Sequence, residues 1–242
     1  MTTDIKALLN GLERTHSIEV AKDSHQFIVL SQLNEWMANC AAPAASGVLL
    51  DYGCGGQPYK LIFEPYITKY IGADVATARQ VVLDLELDVD GGVPLPDASI
   101  DTILSSQVLE HVYDFQTYLA TCVRLLKPLG RLIISVPMQY RHHEVPYDFW
   151  RFTRFGLEKS LTESGFKILD LRPCGGAYSL LGQIYLEHLS SKGKLNRFWT
   201  RAVNKIALWL DKRDTDTDDT LVWMCIAEKS PEKSLYSQPV LI

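Results

Sequence analysis

The chain has 242 residues, of which 47% are hydrophobic and 22% charged, and this is the composition of an ordinary globular protein with one main domain. The formal net charge of −5 argues against a nucleic-acid partner, because proteins that bind phosphate backbones usually carry a positive surface. The five cysteines are dispersed without a C-x-x-C pair, which argues against a disulfide framework and a cysteine metal site.

Targeting signals are not evident in the sequence. The amino terminus lacks the charged and then apolar pattern of a secretory signal, and no apolar run approaches the roughly 20 residues that span a bilayer. Together with the dispersed cysteines, these features predict a cytoplasmic protein.

The first 40 positions carry apolar residues at helical spacing, which predicts two helices before any strand. These residues are Leu8, Leu9, Leu12, Phe27, Leu30, Leu33, Trp36 and Met37. We expect residues 1–45 to form an N-terminal helical cap, with a linker at 41–47 around Pro43.

From Val48 onwards, short apolar runs alternate with longer segments that suit loops or helices. Runs this short, without polar alternation, indicate strands covered on both faces and hence a parallel sheet with crossover helices. The predicted strands are 48–50, 70–73, 81–83, 100–104, 131–136, 166–171 and 221–227.

Two crossover helices carry boundary signals. One follows Asp114, a predicted N-cap, and stops at 128–130, where proline and glycine stand. The other runs over 153–164 and ends at Gly165, where a left-handed C-cap fits.

Residues 176–214 form a predicted helical insertion before the last strand, and it contains a basic amphipathic helix at 195–210. Its apolar side comprises Leu195, Trp199, Ala202, Val203, Ile206 and Leu210, and its basic side Arg197, Arg201 and Lys205. Either the apolar side docks on the core below a solvated cationic face, or the helix contacts an anionic membrane surface or a lipid-linked substrate. Residues 231–242 are predicted to be a loosely held tail.

A candidate ligand loop follows the first strand, with the sequence Asp51-Tyr52-Gly53-Cys54-Gly55-Gly56. Glycines at a strand end let backbone amides approach a ligand closely. Asp74 ends the second strand, where an acid in a doubly wound sheet accepts hydrogen bonds from ribose hydroxyls. The pattern predicts a ribose-bearing cofactor.

The spacing of the glycines indicates which cofactor this is. A nicotinamide dinucleotide would favour G-x-G-x-x-G, but Gln57 and Pro58 follow the glycines here. A carboxylate such as Asp51 would also repel a pyrophosphate, whereas it suits a cationic amino-acid group. S-adenosylmethionine carries an ammonium, a sulfonium and a ribose.

Several segments, in order, resemble the motifs of class I S-adenosylmethionine-dependent methyltransferases, specifically the methyltransferase type 11 group. They are DYGCG at 51–55, YIGADV at 70–75, DL at 84–85, PLPDASID at 94–101 with QVLEHV at 107–112, and LLKPLGRL at 125–132. The resemblance implies a Rossmann-like domain over 46–230 with a doubly wound, mostly parallel seven-stranded sheet. The loop reads G-C-G-x-x-P-Y, as in a subset of the group.

The resemblance also implies a set of S-adenosylmethionine-binding residues, with Asp74 on the ribose and Asp84 with the Leu85 amide on the adenine. The set is Asp51, Gly53, Cys54, Gly55, Asp74, Val75, Asp84, Leu85 and Gln107.

The segment HEVPYDFWRFT at 143–153 resembles one found in type 11 methyltransferases that accompany surface-glycan or secondary-metabolite biosynthesis. A small molecule or sugar is therefore the expected methyl acceptor. A hydroxyl acceptor needs a proton acceptor, and the ranked candidates are His143, Asp148 and His111. The alternative for His143 and Asp148, taken together with Arg151, is a local network of hydrogen bonds and a salt bridge that only stabilises the segment; the alternative for His111 is that it anchors a loop.

No metal site is predicted, because His142 and His143 are adjacent on an extended segment and point in opposite directions. The alternative functions are a methyltransferase-like module that binds the cofactor without turnover and a nicotinamide-dependent oxidoreductase, against which the glycine spacing argues. The oligomeric state does not follow from the sequence.

Overall fold

The computed structural model describes residues 19–75, 82–87, 92–214, 216 and 218–231. The predicted helix through Leu8 and Leu12 and the tail from 232 onwards lie outside these residues. The division of the chain into cap, methyltransferase domain and tail stays a prediction.

Seven strands form one sheet in the order β3-β2-β1-β4-β5-β7-β6. They are β1 (Val48–Tyr52), β2 (Lys69–Val75), β3 (Leu85–Leu87), β4 (Ile100–Ser106), β5 (Leu126–Pro137), β6 (Phe166–Cys174) and β7 (Val222–Lys229). All neighbours pair in parallel except β7, which runs antiparallel to β5 and β6. The strand order reverses between β1 and β4, and a ligand crevice forms at the carboxyl ends of strands at such a point.

The described helices include segments before β1 and the insertion before β7. They are α1 (Phe27–Trp36), α2 (Ala42–Ala44), α3 (Lys60–Phe63), α4 (Phe115–Leu125), α5 (Arg154–Glu163), α6 (Ala177–Ser191) and α7 (Arg197–Asp211), with a π-helical turn at Met37–Ala41. The predicted linker at 41–47 is therefore partly helical. Pro43 does not prevent this, because it lies in the first turn of α2, where no intrahelical N–H bond is lost.

The predicted helix boundaries are confirmed at their caps. The Asp114 carboxylate accepts a hydrogen bond from Thr117 N at 3.0 Å, and the Thr153 hydroxyl accepts one from Gly156 N at 3.1 Å. Gly165 has a φ of 101°, as a left-handed C-cap requires. The first of these helices, α4, ends at Leu125, before the predicted stop, because the following residues already belong to β5.

The third strand lies later than predicted. Val82, in the predicted strand, is 90% exposed. Pairing with β2 starts at Asp84, whose N–H donates to Gly72 O at 3.0 Å and whose carboxylate accepts from Gly72 N at 2.8 Å. The strand therefore begins at Leu85, opposite Ala73.

Two hydrophobic clusters cover the two faces of the sheet. Leu50 and Ile103 belong to one cluster, and their chain neighbours Leu49 and Leu104 to the other; all four are fully buried. Successive strand residues point to opposite faces, so apolar runs without alternation are what a sheet with helices on both faces requires. The predicted doubly wound, mostly parallel fold is confirmed.

Helix α7 docks by a different side from the one that its pattern predicts. The buried residues are Thr200, Asn204 and Ala207, and Asn204 Nδ2 donates to the carbonyls of Lys22 and Ser24. The larger apolar side chains stay outside. These are Phe198, Trp199, Ile206 and Trp209, each more than half exposed. In the described ranges, no helix has both the length and the apolar character that a bilayer crossing needs.

Candidate functional site

The glycine loop after β1 folds against the end of β2. The N–H groups of Gly53 and Cys54 both donate to Ala73 O, at 2.8 and 3.0 Å. The N–H of Gly55 donates to Asp74 Oδ2 at 2.8 Å, and Asp74 Oδ1 accepts from Val75 N at 2.8 Å. Three of the predicted cofactor residues, Gly55, Asp74 and Val75, are thus joined by direct hydrogen bonds at the carboxyl edge of the sheet, and Gly53 and Cys54 are held there through Ala73.

Asp51 is a buried acid at the same edge, with 3% of its surface exposed. Burial raises the pKa of its carboxyl to about 7; the Tyr70 hydroxyl, which donates a hydrogen bond to Oδ2, opposes this rise, and the charge of Asp74 adds to it. Asp51 therefore titrates near neutral pH, and a cationic group beside it would favour the ionised form.

The remaining predicted cofactor residues lie on both sides of this loop. Asp84 is exposed and precedes β3, and its carboxylate holds the backbone of Gly72. Leu85 opens β3. Gln107 follows β4 with a positive φ of 55°, and its N–H donates to Ser135 O at 3.0 Å. The roles assigned to these residues stay predictions.

The candidate catalytic residues come from two segments that hydrogen bonds hold together. A 3-10 turn, Leu109–His111, follows β4, and the other segment follows β5. The carbonyl of Glu110 accepts from Phe149 N at 2.9 Å and from Trp150 N at 3.2 Å. The His111 and His143 rings meet edge to face with centroids 4.8 Å apart. The structure therefore brings together two histidines that are distant in sequence.

Asp148 holds His143 in place. Its carboxylate accepts two bonds from the Arg151 guanidinium, at 2.6 and 2.8 Å, and a third from His143 N at 3.1 Å. Burial acts to raise the pKa of Asp148, but the hydrogen bonds from Arg151 and from His143 N, together with the charges of these two side chains, outweigh it and the pKa is lowered. Asp148 is thus a stable carboxylate that positions His143. Burial, followed by the nearby His111, lowers the pKa of His143, which favours a neutral ring.

Glu110 is the member of this cluster that sequence reasoning missed. Its side chain is fully buried, and neither carboxylate oxygen has a hydrogen-bond partner among the described residues. Burial raises the pKa of Glu110 to about 8. Oε1 lies 3.9 Å from His111 Nε2 and 4.0 Å from His143 Nε2. One sequence feature could have identified Glu110 as a site residue. It is an acid inside the apolar run Val108-Leu109-Glu110-His111-Val112, where a solvated side chain is not expected.

An open cavity of about 560 Å³ lies between the segment after β5 and helix α6. Its lining includes Tyr140, Arg141 and Arg151 on one side and Gln183 and Glu187 on the other. The Tyr140 hydroxyl donates to Glu187 Oε1 at 3.2 Å. The volume is that of a small-molecule pocket, and the predicted insertion supplies one of its walls.

Comparison with known proteins gives a consistent result. A family described as a methyltransferase domain matches residues 29–171. A protein named "Probable S-adenosylmethionine-dependent methyltransferase" from Mycolicibacterium smegmatis is 30% identical over 96 residues, which cover 37% of each chain. A ubiquinone biosynthesis O-methyltransferase of Cereibacter sphaeroides is 36% identical over 101 residues, 36% of this chain and 40% of the relative.

These matches span less than half the length of either curated relative. Among solved structures, the cyclase SpnF superimposes with a TM-score of 0.59 at 19% identity, over 93% of this chain and 91% of the other. At this identity the similarity shows the fold alone.

Proposed function

The chain belongs to the methyltransferase-domain family, and we propose that it is an S-adenosylmethionine-dependent methyltransferase that acts on a small molecule or a sugar, with surface-glycan or secondary-metabolite precursors as the acceptor class. The observation that carries the proposal is the cavity of about 560 Å³ beside the carboxyl end of β5. Such a volume admits a compact acceptor. The similarity to a ubiquinone biosynthesis O-methyltransferase supports a small-molecule acceptor.

The cofactor is assigned to the crevice between the loop after β1 and the end of β2. Asp74, whose carboxylate already orders the loop through Gly55 N, binds the ribose hydroxyls, and Asp51 faces the ammonium of the methionine part. Asp84 and Leu85 flank the adenine, and Gln107 borders the crevice from β4. The ribose and the ammonium then meet carboxylates that are already positioned, Asp74 by backbone hydrogen bonds and Asp51 by the Tyr70 hydroxyl.

Methyl transfer is an in-line displacement at the sulfonium methyl group. The acceptor oxygen forms the new bond to carbon, the bond to sulfur breaks, and its electron pair neutralises the sulfonium charge. Alignment and exclusion of water are the main contributions of the protein. A hydroxyl acceptor must also lose its proton, and His143, with His111 beside it, is the proposed acceptor of that proton. Asp148 acts on the reaction by positioning His143.

The alternative is a module that binds the cofactor without transferring the methyl group. The similarity to SpnF supports this alternative, because that protein has the same fold and is named a cyclase. The two functions differ in turnover and not in cofactor affinity.

We also propose that α7, within the predicted basic helix 195–210, makes peripheral contact with an anionic membrane surface. Trp199 and Trp209 are exposed on this helix together with the basic residues Arg201 and Lys205. Tryptophan is favoured at the membrane interface, and basic side chains are attracted to anionic headgroups.

The acceptor proposal is tested by incubating the full chain with S-adenosylmethionine and a panel of phenols, sugars and carrier-linked glycans, while S-adenosylhomocysteine formation is followed. Acceptor-dependent formation of S-adenosylhomocysteine and a methylated product with one class supports the proposal. Tight cofactor binding without turnover on any member of the panel would favour the silent module.

A further inference from the structure

Glu110, His111 and His143 form a compact cluster of ligating atoms at the carboxyl ends of β4 and β5. One carboxylate oxygen and two imidazole nitrogens all lie within 4.8 Å of one another. Glu110 comes from the 3-10 turn after β4, and His143 from the segment after β5. The cluster borders Tyr140, which lines the cavity and whose ring meets that of His143 at 5.5 Å.

The hydrogen bonds of the two histidines determine which nitrogen faces this cluster. His111 Nδ1 donates to Tyr147 O at 2.8 Å, and His143 Nδ1 donates to Arg141 O at 3.2 Å. A carbonyl oxygen only accepts, so in each neutral ring Nδ1 carries the proton and Nε2 carries a lone pair. Both Nε2 atoms therefore present lone pairs to the Glu110 carboxylate.

The buried side chain of Glu110 lacks hydrogen bonds to its carboxyl oxygens among the described residues. Its side chain is fully buried, neither oxygen has a hydrogen-bond partner, and the distances of 3.9 and 4.0 Å to the histidine nitrogens exceed hydrogen-bond length. An unpaired buried acid is costly. Three electron-pair donors around one point are stabilised by a cation between them.

We propose that Glu110, His111 and His143 bind one divalent transition-metal ion of the zinc, cobalt or manganese class. Two imidazole nitrogens and one carboxylate are typical ligands for these ions, whereas magnesium and calcium take oxygen ligands. The arrangement of Nδ1 bonds to backbone carbonyls, with the Asp148 carboxylate 3.6 Å from His143 Nδ1, is the supporting shell that orients metal-bound histidines.

Binding of an ion requires the three side chains to move slightly closer together. A tetrahedral ion bound at about 2.0–2.1 Å holds its ligand atoms about 3.3 Å apart, so the three side chains must approach one another by roughly 1 Å. Glu144 Oε2, 3.9 Å from His111 Nε2, lies within reach of the same ion. No metal site was predicted from the sequence, because only the adjacent pair His142 and His143 was considered as ligands. The fold instead brings Glu110 and His111 next to His143.

The role of the ion rests on the proposed function. An open coordination position would take the acceptor hydroxyl, and a bound cation lowers the pKa of such a group. The Nε2 lone pair of His143 would then be occupied by the ion, so the hydroxyl proton would leave to solvent instead of to His143; the acceptor oxygen would attack the sulfonium methyl, and the electron pair of the broken carbon–sulfur bond would stay on sulfur. The charges and atoms balance without a further reactant. An oxygen acceptor is therefore the acceptor class that this site favours.

The test uses the full chain after treatment with a chelator, with Co²⁺ alone as the probe. We expect one equivalent of Co²⁺ to bind, with a visible ligand-field absorption and displacement by Zn²⁺. Glu110→Gln and His143→Ala each remove a proposed ligand and should weaken binding by more than the roughly 10- to 100-fold typical of a lost supporting-shell partner, and His142→Ala, a change of the adjacent exposed histidine, should leave it unchanged. Retained S-adenosylhomocysteine binding shows that the variants are folded.

Failure of the inference is separable from failure of the proposed function. No Co²⁺ binding by the chelated protein, or equal binding by the folded Glu110→Gln and His143→Ala variants, overturns the metal site. If the chelated protein then still methylates an acceptor, the proposed function stands without it. If Co²⁺ binds at the cluster and no acceptor of the panel turns over, the metal site stands and the proposed acceptor class fails.

Discussion

A Cβ atom added to Gly53 would lie 2.5 Å from Cγ2 of Val108. The loop after β1 therefore packs directly on the segment after β4, at a distance that only glycine permits. Val108 lies two residues before Glu110, so this contact joins the proposed cofactor crevice to the histidine cluster.

Replacing Gly53 with alanine tests whether this loop binds the cofactor. Gly53 has a φ of 89°, so alanine introduces backbone strain as well as the clash with Val108. We expect Gly53→Ala to lower the affinity for S-adenosylhomocysteine by at least about tenfold, about 1.4 kcal/mol, in calorimetry. Gly193→Ala is the control, since Gly193 has a φ of 62° and no described atom within 4 Å of an added Cβ. Equal affinities in both variants would remove the loop from the cofactor site.

Asp74→Ala removes the proposed ribose acceptor. The lost charge-assisted hydrogen bonds should weaken cofactor binding by roughly 1–3 kcal/mol, measured by calorimetry with S-adenosylmethionine. Asp101→Ala is the matched control, because Asp101 also accepts a backbone bond, from Val48 N at 2.8 Å, but lies at the opposite edge of the sheet. It should lower thermal stability and leave cofactor affinity unchanged. An unaltered affinity in Asp74→Ala contradicts the assignment.

Asp51 should make the stability of the cofactor-free protein fall as the pH rises. Its folded pKa of about 7 lies above the 3.8 of a free aspartate carboxyl. The folded state therefore holds a proton that the unfolded state releases, and the stabilisation is lost as the pH rises towards and through 7. We expect Asp51→Asn to raise the free energy of unfolding at pH 8 by roughly 2–4 kcal/mol, and to raise it little at pH 4, in denaturant titrations.

Tyr70→Phe gives the complementary measurement. The Tyr70 hydroxyl opposes the rise in the pKa of Asp51, so its removal should move the pH midpoint upwards. Cofactor affinity should increase with pH through the same range in the wild type, because the ammonium favours ionised Asp51, and this dependence should disappear in Asp51→Asn. A pH-independent affinity in the wild type would show that Asp51 does not face the cofactor.

The parts of the fold that the sequence predicts are those governed by local rules. The caps at Asp114 and Thr153 are confirmed because a cap needs only a side chain and an amide three residues away. The third strand was misplaced because its start depends on the contact between Asp84 and Gly72, which are 12 residues apart. The run at 81–83 has the apolar residues of a strand but lacks that partner.

The site residues divide in the same way, into those that sequence patterns identify and those that depend on contacts distant in sequence. The glycine loop and Asp74 can be recognised from the sequence, because the chain order of a doubly wound sheet determines where they meet. Glu110 was missed: its place inside an apolar run signals a buried acid, but its contact with His143, 33 residues later, follows only from the fold. Helix α7 illustrates a third case: its apolar pattern predicts a buried side, but the packing buries Asn204 through hydrogen bonds to the backbone near Ser24.

His143→Ala should lower turnover without lowering cofactor affinity. Loss of a proton acceptor or of a ligand at the acceptor typically decreases kcat by about 10²–10⁴, whereas the contacts of the His143 ring are with His111, Tyr140 and the side chains of Glu110 and Asp148, which are not among the predicted cofactor-binding residues. Steady-state kinetics and calorimetry on the same preparation separate the two quantities, with His142→Ala as the control. Weaker cofactor binding at unchanged kcat would show that His143 does not act on the acceptor.

The exposed tryptophans of α7 make the membrane proposal testable by sedimentation with lipid vesicles. If the helix lies in the interface, its tryptophans and basic residues act together, so binding should require anionic lipid and weaken with added salt. Replacing both Trp199 and Trp209 with alanine should reduce the bound fraction several-fold on vesicles that contain phosphatidylserine. Phe155→Ala is the matched control, since this aromatic side chain on α5 is 75% exposed and remote in the sequence from α7. Equal loss of binding in the control, or binding to neutral vesicles alone, would contradict a specific role for α7.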